Sequence, residues 1–234
     1  MRRRALITGG TRGIGAAIAA TLGEAGYDVI VTGTSAHGAG PTGCAYLAAD
    51  FADETQLSRL AEHVAGLGLS VLVNNAGINK VAPVVDYAPV DFARLQQVNV
   101  MAPFVLCRAV VPGMRKQKFG RIVNITSIFS VVSKAGRAAY SASKSGLVGL
   151  TRALALEVAV DNVLINCLAP GFVETDMTRQ ILGEQGIADA VSRIPVGRLA
   201  RPEEIAACVR FLVSEDNTYL TGQNIVVDGG FTCG

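Results

Sequence analysis

Ala5-Leu6-Ile7-Thr8-Gly9-Gly10-Thr11-Arg12-Gly13-Ile14-Gly15 carries a short apolar run straight into a cluster of glycines, and a helical pattern follows at once. A strand that turns into a helix through glycines is the opening unit of an open α/β sheet. Glycines allow the tight turn, and without Cβ atoms they let a pyrophosphate approach the backbone. The helix N-terminus then offers free N–H groups and partial positive charge to phosphates. Gly9, Thr11, Arg12, Gly13, Ile14 and Gly15 are therefore candidate dinucleotide contacts. The spacing departs from the common G-x-G-x-x-G, and any strand-to-helix turn favours glycine, so the position at the first crossover carries the reading.

Outward from this loop the same rhythm repeats. Val29-Ile30-Val31, Ala45-Tyr46-Leu47, Val71-Leu72-Val73, Ile122-Val123-Asn124-Ile125, Leu164-Ile165-Asn166-Cys167-Leu168 and Ile225-Val226-Val227 each read as a strand. Being apolar on both faces suits a parallel sheet buried between two helix layers. Helical patterns fall near 14–25, 54–66, 91–117, 139–160 and 202–213. The expectation is an α/β fold: a single doubly wound parallel sheet of Rossmann type, about seven strands, as one domain over 1–234. Two stretches break the rhythm. Residues 36–43 are too short and glycine-rich for a helix, which predicts a shortened connection between strands 2 and 3. Residues 171–201 leave the sixth strand without a clean period, and are expected to form a flap over the substrate, at the end of the sheet where such folds bind ligands.

Composition narrows the function class. Half of the 234 residues are hydrophobic, 17% are charged and the net charge is +2, which argues against nucleic acid as a partner. Arg2-Arg3-Arg4 is followed by only three apolar residues, short of the roughly 7–15 of a signal peptide, and no run approaches the ~18 of a membrane span. Five scattered cysteines and two histidines, His37 and His63, form no disulfide or metal pattern, so no metal is expected and the cytoplasm is the expected compartment. Cys44, Cys107, Cys167 and Cys208 read as small buried hydrophobes, with Cys233 exposed near the end.

Tyr140-Ser141-Ala142-Ser143-Lys144 opens a long apolar helix, and residues at i and i+4 share a helical face. A lysine ammonium beside a phenol favours the phenolate, lowering a tyrosine from its reference near 10. Such a tyrosine exchanges a proton with a carbonyl or alcohol oxygen. Ser127, at the carboxyl end of the fifth strand, is placed to hydrogen-bond the same oxygen. A surface Tyr–Lys pair and a strand-end serine are each common, so the set rather than any one member carries the reading.

In order along the chain, Thr8-Gly9-x-x-x-Gly13-Ile14-Gly15, Asn74-Asn75-Ala76-Gly77, Asn99, Ser127, Tyr140-x-x-x-Lys144 and Pro170-Gly171 resemble the short-chain dehydrogenase/reductase family, over essentially the whole chain. The resemblance implies that Tyr140 is the general acid/base, that Lys144 lowers its pKa and holds the nicotinamide ribose, that Ser127 orients the substrate oxygen, and that Asn99 sustains a water link from Lys144 to solvent. It also implies cofactor contacts from Asn75, Ala76 and Gly77, from Asp50 and Phe51 at the adenine, and from Pro170, Gly171, Val173 and Thr175 near the carboxamide and phosphates. A homotetramer built partly on the long central helices is the family's expectation. The shortened 36–43 connection departs from it, and bears on cofactor affinity more than on chemistry.

Cofactor choice follows from charge. After the second strand, Thr32-Gly33-Thr34-Ser35 offers no carboxylate to repel a 2′-phosphate, Thr34 being a candidate contact, and Arg12 is placed to pair with that phosphate. NADP (NADPH) is expected over NAD, the alternative for Arg12 being a solvated loop arginine. For substrate, Pro170-Gly171-Phe172-Val173-Glu174-Thr175-Asp176-Met177-Thr178-Arg179 and Arg198-x-x-x-Pro202-Glu203-Glu204-Ile205-Ala206 resemble 3-oxoacyl-[acyl-carrier-protein] reductases. Lys116, Lys118, Arg121 and Arg179 would supply a basic patch for an acidic carrier if the strand and flap ends adjoin; ordinary solvation of a helix end is the alternative. Against this, Asn75-Ala76-Gly77-Ile78-Asn79-Lys80-Val81-Ala82-Pro83 looks more like the family's sugar-acid and polyol dehydrogenases, with Lys80 at the pocket mouth. Phe129, Val131 and Val132 are apolar pocket candidates that do not decide between them. A catalytically silent nucleotide-binding scaffold is the remote third reading.

Overall fold

The computed structural model describes residues 2–234. Seven strands, β1 (Arg4–Ile7), β2 (Asp28–Gly33), β3 (Ala45–Ala48), β4 (Val71–Asn74), β5 (Gly120–Ile125), β6 (Val163–Pro170) and β7 (Asn224–Val227), form one sheet in the order β3-β2-β1-β4-β5-β6-β7. Every pairing is parallel. The order reverses at β1, so the crevice above its carboxyl end is where the glycine loop and the ends of β4 and β5 meet.

Strand alternation divides the core into two layers. Leu6, Ile30, Leu72, Ile122 and Ile165 face α2 (Glu54–Ala65) and α4 (Ala102–Gln117). Ala5, Ile7, Val29, Val31, Val73 and Val123 face α1 (Gly13–Glu24) and α7 (Pro202–Val213). β4, β5 and β6 are buried along their whole length, as a doubly covered parallel sheet requires.

The helix expected over 91–117 is three pieces: α3 (Pro89–Gln96), a π turn (Gln97–Met101) and α4. Pro103 has no N–H to offer the carbonyl four residues back, that of Asn99, and the local i+5 pattern accommodates the loss. This run is long and apolar enough to cross a membrane by composition, but Leu95, Val98, Leu106, Val110 and Met114 point into the core. α5 (Ala138–Val158) lies beside α4 and against β6.

Residues 36–43 contain turns and no helix, as expected. Tyr46 of β3 organises this connection: its hydroxyl donates to the Ser35 carbonyl at 2.6 Å. A Cβ on Gly38 would stand 2.4 Å from Tyr46 Oη, so glycine is what lets the chain lie flat on the ring.

The 171–201 stretch differs from expectation. Most of it is helical, α6 (Asp176–Arg193), with a break at Gly183 where φ is 62°. That interruption, with Gly186 and mixed polar residues, blurs the period. The ends of the excursion are pinned by a parallel bridge between Val173 and Ala200, where Glu174 N–H donates to Ala200 at 2.8 Å. Arg198 then forks onto Glu204 with two bonds of 2.7 Å, and Glu204 also accepts from Arg201 N–H at 2.7 Å, closing the start of α7. The cysteine expectation holds for Cys107, Cys167 and the exposed Cys233, whereas Cys44 and Cys208 are half-buried at the rim of the core because they lie on an edge loop and a helix flank.

Candidate active site

The glycine loop is locked by the residues that follow β4. Thr8 Oγ accepts from the N–H groups of Asn75 and Ala76, both at 2.9 Å, and Asn75 Nδ2 donates to the carbonyls of Thr8 at 2.9 Å and Gly9 at 3.1 Å. Gly15 carries the tightest requirement: a Cβ there would stand 2.2 Å from Gly9 O and 2.5 Å from Asn75 Nδ2. α1 begins at Gly13 without a side-chain cap and without an acidic residue in its first turn, leaving its leading N–H groups to a phosphate. Gly13, at φ 53°, faces Thr175, whose methyl would lie 3.3 Å from an added Cβ, so the flap root sits against this loop. Arg12, Thr11 and Thr34 are exposed around it, and Arg12 makes no ion pair among the described residues. Uncapped amides, glycines with no room for a Cβ and the lack of a carboxylate at 34–35 fit a phosphorylated dinucleotide. Asp50 and the buried Phe51 follow β3, with Asp50 Oδ1 bound to Ala52 N–H at 2.9 Å.

The structure brings Asn99, Ser127, Tyr140 and Lys144 together at the carboxyl ends of β4 and β5. Lys144 Nζ is buried, donates to Ile125 O at 2.8 Å and lies 5.6 Å from the Tyr140 ring centre. Burial pulls its pKa down to about 8. Gly77 fills the gap between Asn99 and Lys144: an added Cβ would be 3.4 Å from Asn99 Oδ1 and 3.6 Å from Lys144 Nζ. The Asn99 amide is fully engaged, accepting from Ile78 N–H at 2.9 Å and donating to Ile78 O at 3.0 Å and Ser143 Oγ at 3.1 Å. Its side chain therefore holds the 77–78 turn.

Tyr140 needs a correction to the simple picture of a lysine-lowered phenol. Burial is the largest influence and raises its pKa, with the Ser127 hydroxyl and the Arg137 charge pulling it back. Lys144 is committed to Ile125, and Arg137 was missed by sequence reasoning; its signal was a charge three residues before the tyrosine, on the same face.

Beyond Tyr140 a cavity of about 140 Å³ lies between Phe129, Val132, Ser133 and Lys134 on one side and Phe172, Arg193 and the tail residues Phe231 and Thr232 on the other. Phe172 meets Phe231 edge-on at 5.2 Å, so the C-terminal tail helps to shape this wall. Val131, at 56% exposed, lies outside it. Pro170 is buried at the end of β6, and Gly171 N–H bonds Val227 at 2.9 Å.

One sequence expectation about cations is corrected. Lys116, Lys118 and Arg121 lie at the amino end of β5, whereas Arg179 follows the carboxyl end of β6, so one parallel sheet puts them at opposite ends. Arg121 is buried and donates to carbonyls of Gly120, Asn162 and Asn217. Lys118 and Arg115 are paired with Asp161, and Arg179 with Glu174. No single basic patch forms from them. Lys80 is likewise tied to Asp91, with Tyr87 beneath it.

The family model described as enoyl-(acyl carrier protein) reductase matches residues 9–232. The chain belongs to the short-chain dehydrogenase/reductase family. It is 41% identical over 238 residues to a 3-oxoacyl-[acyl-carrier-protein] reductase of Pseudomonas aeruginosa, covering 97% of this chain and 96% of that protein. The corresponding reductase of Aquifex aeolicus is 39% identical over 245 residues, covering 96% and 95%. Among solved structures, a protein of Beutenbergia cavernae described as an NAD(P)-dependent gluconate 5-dehydrogenase, with NADP bound, superposes with a TM-score of 0.92 at 38% identity, covering 99% and 97%. This chain is an oxidoreductase of the same fold.

Proposed function

We propose that the chain reduces a carbonyl to an alcohol with NADPH, its substrate being a 3-oxoacyl thioester. The observation that carries the reading is the convergence of Ser127, Tyr140 and Lys144 beside Gly77 and the glycine loop. Held at the glycine loop, NADPH would supply the hydride for the carbonyl carbon. Tyr140 Oη gives its proton to the carbonyl oxygen, Ser127 holds that oxygen, and Lys144 orients the ribose while restoring the proton through water on the Asn99 carbonyl. Gly9, Thr11, Gly13, Ile14, Gly15 and Thr175 would surround the phosphates, Asn75, Ala76, Pro170, Gly171 and Val173 the nicotinamide side, and Thr34, Asp50 and Phe51 the adenosine.

The thioester reading rests on full-length likeness to the 3-oxoacyl reductases. Because the basic residues do not adjoin, a carrier protein would dock through other surface. The gluconate dehydrogenase likeness supports a second reading, a sugar-acid or polyol substrate. Residues 1–234 act as one catalytic domain in this reading, in the cytoplasm and as a homotetramer, consistent with apolar surface at Met101 in the π turn, Phe104 on α4 and Leu156 on α5.

The test is NADPH oxidation with an acetoacetyl thioester beside a panel of keto sugar acids and polyols, with both cofactors. Thioester turnover well above the panel is expected. A silent thioester with active sugar acids would move the assignment to the second reading. Tight NADPH binding with no turnover on any carbonyl would revive the scaffold.

A further inference from the structure

Four charged side chains are deeply buried among the described residues: Arg121, Arg137, Lys144 and Asp161. Three have partners, Arg121 in backbone carbonyls, Lys144 in Ile125 O, and Asp161 in Lys118 and Arg115. Arg137 has none. It is 4% exposed, and its Nε is sealed from solvent with no acceptor. A buried donor without an acceptor is costly, and a charge so placed favours an anion that forms beside it.

Position shows where that counter-charge arises. Arg137 caps the N-terminus of α5, which puts Tyr140 in the first turn, where the helix dipole also favours an anion. The guanidinium stands 5.2 Å above the Phe129 ring, and Phe129 meets Tyr140 edge-on at 6.3 Å. The Phe129 ring thus places apolar, low-dielectric material beside both groups, which strengthens a charge interaction between them. The polar groups facing Tyr140 are Ser127 from the end of β5 and Arg137 and Lys144 from its own helix.

We propose that Arg137 is a positioning residue for proton transfer, its fixed charge stabilising the Tyr140 phenolate that forms when the proton leaves. The proposal rests on Tyr140 as the acid/base, and the direction of the influence on Tyr140 agrees with it. It also divides the labour of the two cations. Lys144, pulled down to about 8, is half deprotonated there, whereas the Arg137 guanidinium, though burial lowers it, starts from a far higher value and persists.

The decisive variants are Arg137→Gln and Arg137→Lys. In alcohol oxidation, where the phenolate is the base, the rising limb of log kcat/KM against pH should move up by about one unit in Arg137→Gln. Arg137→Lys should restore most of the wild-type profile, and NADP binding should be unchanged in both. The chain contains no tryptophan and five tyrosines, so tyrosinate absorbance near 295 nm is readable. Subtracting the titration of the matching Tyr140→Phe protein, each with NADP bound, isolates Tyr140 whatever the substrate, and should show the same upward move. That readout keeps a wrong substrate assignment separate from a wrong role for Arg137. Coincident tyrosinate titrations, or an unmoved limb with a raised KM that would mark a substrate anion as the partner, would overturn the proposal. Arg137→Met keeps the packing on Phe129 and carries the same test if the Gln variant does not fold.

Discussion

Lys144 Nζ donates to the Ile125 carbonyl at 2.8 Å, so the ammonium is anchored to β5 and not to the tyrosine one helical turn before it. The anchor fixes the lysine where Gly77 leaves room, at the expense of solvation.

That expense is measurable. Lys144 has an ordinary value of 10.5 and is pulled to about 8 in the folded chain, so the fold resists holding its proton. The penalty is fully present below pH 8 and is relieved as pH rises to 10.5. Lys144→Met should stabilise the cofactor-free protein at pH 7 by roughly 1–3 kcal/mol, after allowing about 1 kcal/mol for the lost hydrogen bond. Denaturant melts at pH 7 and pH 10.5 should show the gain shrinking at the higher pH, with turnover lost at both.

Tyr140→Phe removes the exchangeable proton and keeps the ring against Phe129. Turnover should fall by about 10²-fold or more while NADPH binding by fluorescence titration stays within about twofold. Retention of more than about a tenth of the rate would remove Tyr140 from the mechanism.

Arg12 is exposed and makes no ion pair among the described residues, which leaves it open to a 2′-phosphate that only NADPH carries. Arg12→Ala should weaken NADPH by about 1.5–3 kcal/mol, the worth of a hydrogen bond to a charged group, and leave NADH nearly unchanged. Equal losses in calorimetric titrations would show that another group selects the cofactor.

Glu204 is held down to about 2 by the Arg198 fork and by Arg201 N–H. Its support is complete above the ordinary 4.5 and is lost as pH falls through 2. Glu204→Gln should lower Tm at pH 7, and the gap from wild type should close as pH drops from 4.5 toward 2.

Much of this was legible because the strands of a parallel sheet read as short continuous apolar runs, fully buried in β4, β5 and β6, and all seven strands carry such a run. The glycine loop and the Tyr140–Lys144 spacing are local and readable for the same reason. The flap helix was hidden by Gly183, whose left-handed backbone interrupts α6 in mid-course. The basic patch failed because Lys118 and Arg179 are similar in charge but precede and follow different strands, a relation only topology sets. Arg137 was passed over because an arginine ahead of a helix ordinarily lies in solvent; burial against Phe129 gives it meaning.

β3 is four residues long, pairs on one side only and is joined to β2 by turns where a crossover helix would have covered it. Backbone amides there have little to break before they exchange with solvent, and those of the fully enclosed β5 and β6 have much more. The molecule thus has a soft margin at its adenosine end and a hard centre beneath its chemistry. Nucleotide binding that orders this margin would carry an entropic cost that a covering helix would have spared, with a weaker grip and faster release of the spent cofactor as the expected consequence.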